Sequence, residues 1–210
     1  MANRDIKIVT EALSQDLLTL DEYKTWTGIP LTDTSRDEQL TLQISSASAI
    51  CADICNRKPT LGFGEEEVIE TWREIGNGRL YLSHWPIKDP DGIISVSWNG
   101  GTLLLPDVGY DLEGYSGKID VFGSWQEPAV VHYIGGYKLP DEAPLPLKRA
   151  CVILIQEERI RNQQAQTSGI RQLRHKEAMV SFFDPNALLL KSVGAKSVGM
   201  QTAEALLRPY

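Results

Sequence analysis

Three histidines, three cysteines and a run of glutamates are the side chains of this chain that could carry chemistry. His84 directly follows Ser83 in a strand-like run. Neighbours along a strand point to opposite faces, so the two do not form a nucleophile–base pair. His132 lies in a second such run, and His175 sits among Arg174, Lys176 and Glu177. No Gly-x-Ser-x-Gly elbow accompanies them. Satisfied polar groups on a sheet surface are the expected role. Cys51 and Cys55, four apart, share one helical face, which suits two metal ligands. A zinc site needs two more, Cys151 and His132 for instance, and no close Cys-x-x-Cys pair exists. The thiols share apolar stripes, so reduced packing cysteines are expected rather than a metal or a disulfide framework.

The glycine motifs point the same way. Gly62-Phe63-Gly64 and Gly76-Asn77-Gly78 lack the third glycine and the following helix of a dinucleotide site. Neither supplies the Lys and Ser or Thr of a phosphate loop. Glu65, Glu66, Glu67, Glu70 and Glu74 read as a solvated face, because catalytic carboxylates need a cleft that desolvates one of them. Asp89, Asp91 and Gly92 are a fragment of a calcium loop without its later ligands. No catalytic residue, no cofactor and no metal is expected.

The elements that would hold these residues fall into blocks. Thr19 and Glu22 make a capping box ahead of Leu20, Tyr23 and Trp26, and Gly28 stops that short helix. Ser35 and Glu38 repeat the box before Leu40, Ile44, Ala47, Cys51 and Ile54, an apolar stripe along about five helical turns. Short alternating runs follow: Val68 to Trp72, Leu80 to Trp85, Ile93 to Trp98, Ile119 to Phe122 and Val130 to Tyr133. Gly, Asn, Asp and Pro clusters punctuate them, as in an antiparallel sheet. Beyond a proline-spaced linker at Asp141 to Pro146, Leu147, Cys151, Leu154 and Ile155 mark a second long helix. Residues Ile170 to Phe183 alternate loosely and read as an arm or ribbon. The predicted class is α+β: an antiparallel helical core, an inserted small antiparallel β lobe, and an extended C-terminal arm. The blocks are 1–60 for the N-terminal helices, 61–140 for the lobe, 141–168 for the second core helix, and 169–210 for the arm with its terminal helix and tail.

The 210 residues carry a formal charge of −7, unevenly spread. Residues 61–140 hold 5 basic and 12 acidic side chains, whereas residues 141–210 hold 10 and 7. Tight reading of nucleic acid needs a basic footprint, so sequence-specific DNA binding is not expected. No run of 18 apolar residues is present, and neither membrane insertion nor secretion is expected. The chain closes on Leu206, Leu207, Arg208, Pro209 and Tyr210. Either these anchor a partner, with Arg208 pairing an acid, or they fold back on the two long helices.

The stretch Leu20-Asp-Glu-Tyr-Lys-Thr-Trp-Thr-Gly-Ile, with Asp37-Glu-Gln-Leu and Ile50 through Asn56, resembles the opening of the head–tail connector adaptors, or head completion proteins, of tailed bacteriophages. Tyr133-Ile-Gly-Gly-Tyr with Pro146-Leu-Lys-Arg-Ala resembles that family's passage from lobe to second helix, and Ala205-Leu-Leu-Arg-Pro-Tyr its closing tail. The resemblance implies a non-enzymatic adaptor that joins the portal protein of a phage head after DNA packaging. Copies form a ring, usually of twelve, around the DNA channel and then receive a stopper or tail protein. Packaged DNA passes without sequence-specific binding, and no membrane is involved in assembly. The implied place is the head–tail interface of the virion, reached from the host cytoplasm. Leu206, Leu207, Arg208, Pro209 and Tyr210 would form the portal and subunit interface. On that view, removing residues 201–210 leaves the body folded. The competing readings are a virion-associated cell-wall hydrolase, with His132, a carboxylate and a nucleophile in one cleft, and a carbohydrate- or protein-binding module using Trp72, Trp85, Trp98 and Trp125.

Overall fold

The computed structural model describes residues 4–57, 62–75, 79–88, 91–98, 102–104, 109–122, 127–167, 172–175, 178–181 and 197–210. Gly76, Asn77, Gly78, Asp89, Trp125, Ile170, Lys176, Glu177, Phe183 and Lys191 lie outside them.

Helix α1 (Leu20–Thr27) starts where the sequence predicts. The Thr19 hydroxyl accepts the Glu22 N–H, the Glu22 carboxylate accepts the Thr19 N–H, and Gly28 closes the helix at φ 71°. Helix α2 (Asp37–Ile54) buries Leu40, Ile44, Ala47 and Cys51 of the predicted stripe, with Ile54 half-buried at its end. Its cap is Arg36 rather than Ser35, and no side chain bonds there. The Ser35 hydroxyl is already committed to Asp33 at 2.7 Å, so it cannot turn back to the helix. The Lys24 ammonium, almost wholly buried, ties α1 to the first turn of α2 through Asp37 at 2.5 Å. A cation held by that carboxylate and by the Asp33 carbonyl is an affordable buried charge. Helix α3 (Leu145–Thr167) packs on α2, and the last helix, α4 (Val198–Leu207), packs on α3 and touches α2.

Two hydrophobic cores result. One is helical, built from Leu17, Tyr23, Ile44, Cys51, Leu147 and Ile155 among others, and includes Leu207 of α4. The second fills the sheet lobe around Val68, Leu80, Val96, Ile119 and Val131.

The lobe contains two antiparallel sheets. Strand β1 (Arg4–Thr10) pairs with β2 (Glu66–Trp72), β2 with β8 (Ala129–Gly135), β8 with β4 (Ile93–Trp98) and β4 with β5 (Thr102–Leu104). The smaller sheet runs β3 (Arg79–Tyr81), β7 (Lys118–Val121) and β6 (Tyr110–Glu113). A separate two-stranded ribbon, β9 (Gln172–His175) with β10 (Ala178–Ser181), stands where the arm or ribbon is predicted. The fold class is thus α+β, with a helical core and a small β lobe. One difference matters. Residues 4–10 are a sheet strand and not part of the helical block, so the lobe draws on two separated stretches of chain.

Candidate functional site

Glu66, Glu67, Glu70, His84 and His132 collect along β2 and the seam between the two cores, where they bond to other parts of the fold. Strand β2 reads buried at every second residue, Glu66, Val68, Glu70 and Trp72. The glutamate run is therefore not a solvated face: a period of two drives Glu66 and Glu70 inward, while Glu67 looks out. Glu70 is fully buried, with one carboxylate oxygen bonded twice and the other facing only a distant cation. Its Oε1 accepts the Tyr133 hydroxyl at 2.5 Å and the Ser83 N–H at 2.7 Å, and the Arg4 guanidinium lies 3.9 Å from Oε2. Burial, reinforced by the Glu70 charge, pushes the Tyr133 phenol well above its ordinary range, so it stays a donor. The phenol oxygen in turn accepts the His84 N–H at 3.1 Å.

His84 is buried, and burial lowers its ring to about 4, which keeps it neutral near pH 7. Its Nε2 lies 2.7 Å from the Gly64 carbonyl and must carry the proton to bond there. Ser83 and His84 share no bond, but they lie in the bend that follows β3 and not in the strand their run suggested. The Tyr133-Ile-Gly-Gly-Tyr stretch, the end of β8 and the two residues after it, passes close to this bend. A Cβ at Gly135 would overlap the His84 carbonyl oxygen, and one at Gly136, where φ is 97°, would overlap the Gly64 carbonyl. Only glycine fits at either place.

Glu66 is the second buried carboxylate. Its Oε1 accepts from Gln15 Nε2 at 2.8 Å, Oε2 has no partner, and the Gln15 carbonyl oxygen accepts the Gly64 N–H. Burial raises its carboxyl to about 7. His132 lies on the outer face with Nε2 2.7 Å from Glu67 Oε1, while the Thr10 hydroxyl donates to Glu67 Oε2 at 2.7 Å. Hydroxyl, carboxylate and imidazole thus line up with the carboxylate in the middle. The imidazole never reaches the hydroxyl, so this row cannot activate a nucleophile.

Across the seam, Arg57 at the end of α2 is buried, donates from Nη1 to the Trp85 carbonyl at 2.8 Å, and stacks 4.1 Å from the Trp85 ring centroid. The Phe63 ring centroid lies 5.2 Å from the same guanidinium. No feature of the sequence marked Arg57; its partners come from two other segments. Trp72 is buried in the sheet core beneath Arg4, and Trp98 packs against the same core, so neither is a free ligand platform. Cys51, Cys55 and Cys151 are free thiols. Cys151 is buried in the helical core, where burial pushes it up to about 12, and Cys55 is pushed up to about 11. Among the described residues no group of three His, Cys, Asp or Glu side chains could hold a metal ion. A shallow groove of about 330 Å³ runs beside the small residues Ser45, Ser48, Ala49 and Ala52 of α2, bordered by Gln15 and Phe63.

The tail is where surface and core meet. In α4 the Ser197 hydroxyl caps the Met200 N–H at 3.1 Å, and Gly199 lies so close to Glu157 of α3 that a Cβ would strike it. Ala203 and Leu207 are fully inside the helical core, and Leu206 and Tyr210 are half-buried against it. The Cys55 thiol lies 3.6 Å from the Leu207 carbonyl. Of the five tail residues expected at an interface, Leu207 is used within the chain, and Arg208 and Pro209 stand exposed. Apolar side chains also remain open elsewhere: Leu13 wholly, Leu42 and Ile50 on α2, and Val198 at the start of α4.

No family model and no curated protein matches the sequence. The fold is similar to a chain in the neck of an empty GTA particle computed with C6 symmetry. The identity is 14%, the TM-score 0.54, and the likeness covers 97% of this chain and 94% of that one. A chain of the virion of the native gene transfer agent (GTA) particle aligns at 16% identity, over 92% and 97% of the two chains, with a TM-score of 0.47. Identities this low speak to fold, and only the first likeness is close enough to argue from.

Proposed function

We propose that this chain is a non-enzymatic structural adaptor of a phage-like neck. It docks on the portal protein at the vertex of a filled head, surrounds the DNA channel as a ring of copies, usually twelve, and receives a stopper or tail protein. One observation carries the reading: the fold corresponds over nearly the whole of both chains to a neck component, with no large segment of either left over. The site chemistry supports it, because His84, His132 and Glu70 bond within the fold rather than facing one another in a cleft. The acidic middle of the chain would let DNA slide past without adhering.

Within this reading the portal-facing element is the end of α4, with Arg208 and Pro209 presented outward and Leu206 and Tyr210 offering their exposed edges. The blocks 1–60, 61–140, 141–168 and 169–210 then serve as body, tail-facing lobe, body and portal-facing arm, with residues 4–10 shared to the lobe. The test is co-sedimentation of the purified protein with portal-bearing heads that lack a neck, followed by imaging of the vertex. New ring density between portal and tail is the expected result; heads that stay bare, or protein bound over the whole capsid surface, would refute the adaptor role.

A further inference from the structure

The ribbon β9–β10 has no place in either sheet of its own chain. Its four-residue strands pair Gln172 with Ser181 through His175 with Ala178, and hydrogen-bond as a two-stranded sheet alone. An isolated ribbon of that length is marginal in water and needs a third strand or a packing surface. A matching vacancy exists at one edge of the lobe. Strand β1 is the outermost strand of the five-stranded sheet: β2 lies on one side, and among the described residues nothing pairs on the other. At seven residues, without proline, it is longer than the other sheet edges, β5, β3 and β6, at three, three and four. An open edge of that kind is a template for another strand.

We propose that the ribbon of one copy adds to the β1 edge of a second copy, so that the five-stranded sheet continues across the boundary between copies. The proposal rests on the self-association in the reading above. Charge favours the match. Residues 168–197 carry Arg171, Arg174, Lys176, Lys191 and Lys196 against Glu177 and Asp184, a balance of +3. Residues 4–11 with 65–74 carry Arg4, Lys7 and Arg73 against seven acids, a balance of −4. Chain length limits the reach. Sixteen residues separate Ser181 from Val198 and four join Thr167 at the end of α3 to Gln172; at about 3.3–3.6 Å per extended residue, the shorter connection sets how far the ribbon can stand off α3. The second copy is favoured over the ribbon's own β1 because the two elements of one chain do not pair with each other.

Disulfide trapping between full-length chains of different size tests it. One chain carries Lys7→Cys, on the exposed face of β1, and the other carries Met179→Cys or Val180→Cys. The two ribbon positions cover both faces of β10, since adjacent residues alternate. The native thiols stay silent under mild oxidation, with burial holding Cys55 and Cys151 up at about 11 and 12 and Cys51 higher still. Samples are read free in solution over a concentration series and bound to portal-bearing heads. The expected result is a disulfide between two chains, formed by one of the two ribbon cysteines and lost when Leu173→Pro breaks the ribbon. No inter-chain disulfide in either setting, or one formed only within a single chain bearing both cysteines, overturns the proposal. A ring on heads without the disulfide removes the ribbon contact alone; a disulfide with no binding to heads removes the adaptor role alone.

Discussion

Tyr133 and Glu70 sit diagonally on the neighbouring strands β8 and β2, and a 2.5 Å hydrogen bond joins them inside the lobe. The diagonal is set by register, since Val68 faces Tyr133 and Glu70 faces Val131, all on the inner face. Tyr133→Phe keeps the ring and removes the donor, leaving a buried carboxylate short of one partner and the His84 N–H without its acceptor. The expected loss is about 1–3 kcal/mol, read by urea denaturation. An unchanged midpoint would mean that Glu70 is held by Arg4 and Ser83 alone.

Stability should depend on pH through two buried groups of opposite sign. The folded Glu66 carboxyl titrates at about 7 against an ordinary 4.5, so the folded state holds the extra proton between those values and loses stability as pH rises through them. The folded His84 ring titrates at about 4 against 6.5, so the unfolded state holds the extra proton there and stability is lost as pH falls below 6.5. The slopes offset between 4.5 and 6.5, and above that only Glu66 acts. Glu66→Gln should therefore gain on wild type between pH 6.5 and 8 in denaturation midpoints. Parallel curves for the two proteins would contradict the assignment.

Two glycines give a paired test of close approach. At Gly135 the obstacle to a Cβ is backbone, the His84 carbonyl, whereas at Gly199 it is the flexible Glu157 side chain. Gly135→Ala should lower the melting temperature sharply, by more than the ~1 kcal/mol usual for a glycine exchange. Gly199→Ala should be close to neutral, because Glu157 can swing away while the helix gains propensity. Equal effects would show that the turn is not pinned by His84.

The tail should split into a structural and a docking part. Leu207→Ala empties a fully buried position and should cost about 2–5 kcal/mol. Removing residues 201–210 takes Ala203 and Leu207 from the helical core, so that truncation should destabilise the body rather than leave it intact. Removing only residues 208–210 should leave the melting curve near wild type and weaken co-sedimentation with heads. Undiminished binding by that short truncation would relocate the portal contact away from the tail.

Local signals in the sequence found their elements. Thr19 with Glu22, the stripe from Leu40 to Ile54, the α3 pattern and the β4 and β8 runs all depend on residues a few positions apart. What escaped depends on distant ones. Strand β1 reads as a charged, ambiguous segment until Ile6 and Ile8 meet the lobe core, and its partner Glu70 is 64 positions from Ile6. Glu66 and Glu70 look solvated until Gln15, Ser83 and Tyr133 arrive from three other segments. Arg57 acquires meaning only through Trp85 and Phe63. Spacing rules act locally, so each candidate residue could be weighed by itself; the seam that brings Glu66, Glu70, His84 and Arg57 together could not be read that way.

The pairing of β1 with β2 also bears on how the chain is made. Fifty-five residues, including both α1 and α2, are synthesised between Thr10 and Glu66, and β8 follows still later. At about 5–20 residues per second, β1 leaves the ribosome roughly 3–11 s before its partner. The helices can begin to coil in that interval, whereas the sheet must wait for non-local contacts, which are slow to form. During each round of translation an unpaired strand is therefore at large among nascent neighbours. Copies made on one messenger would meet while that strand is still open, and the earliest errors of this protein should be strand exchanges between siblings.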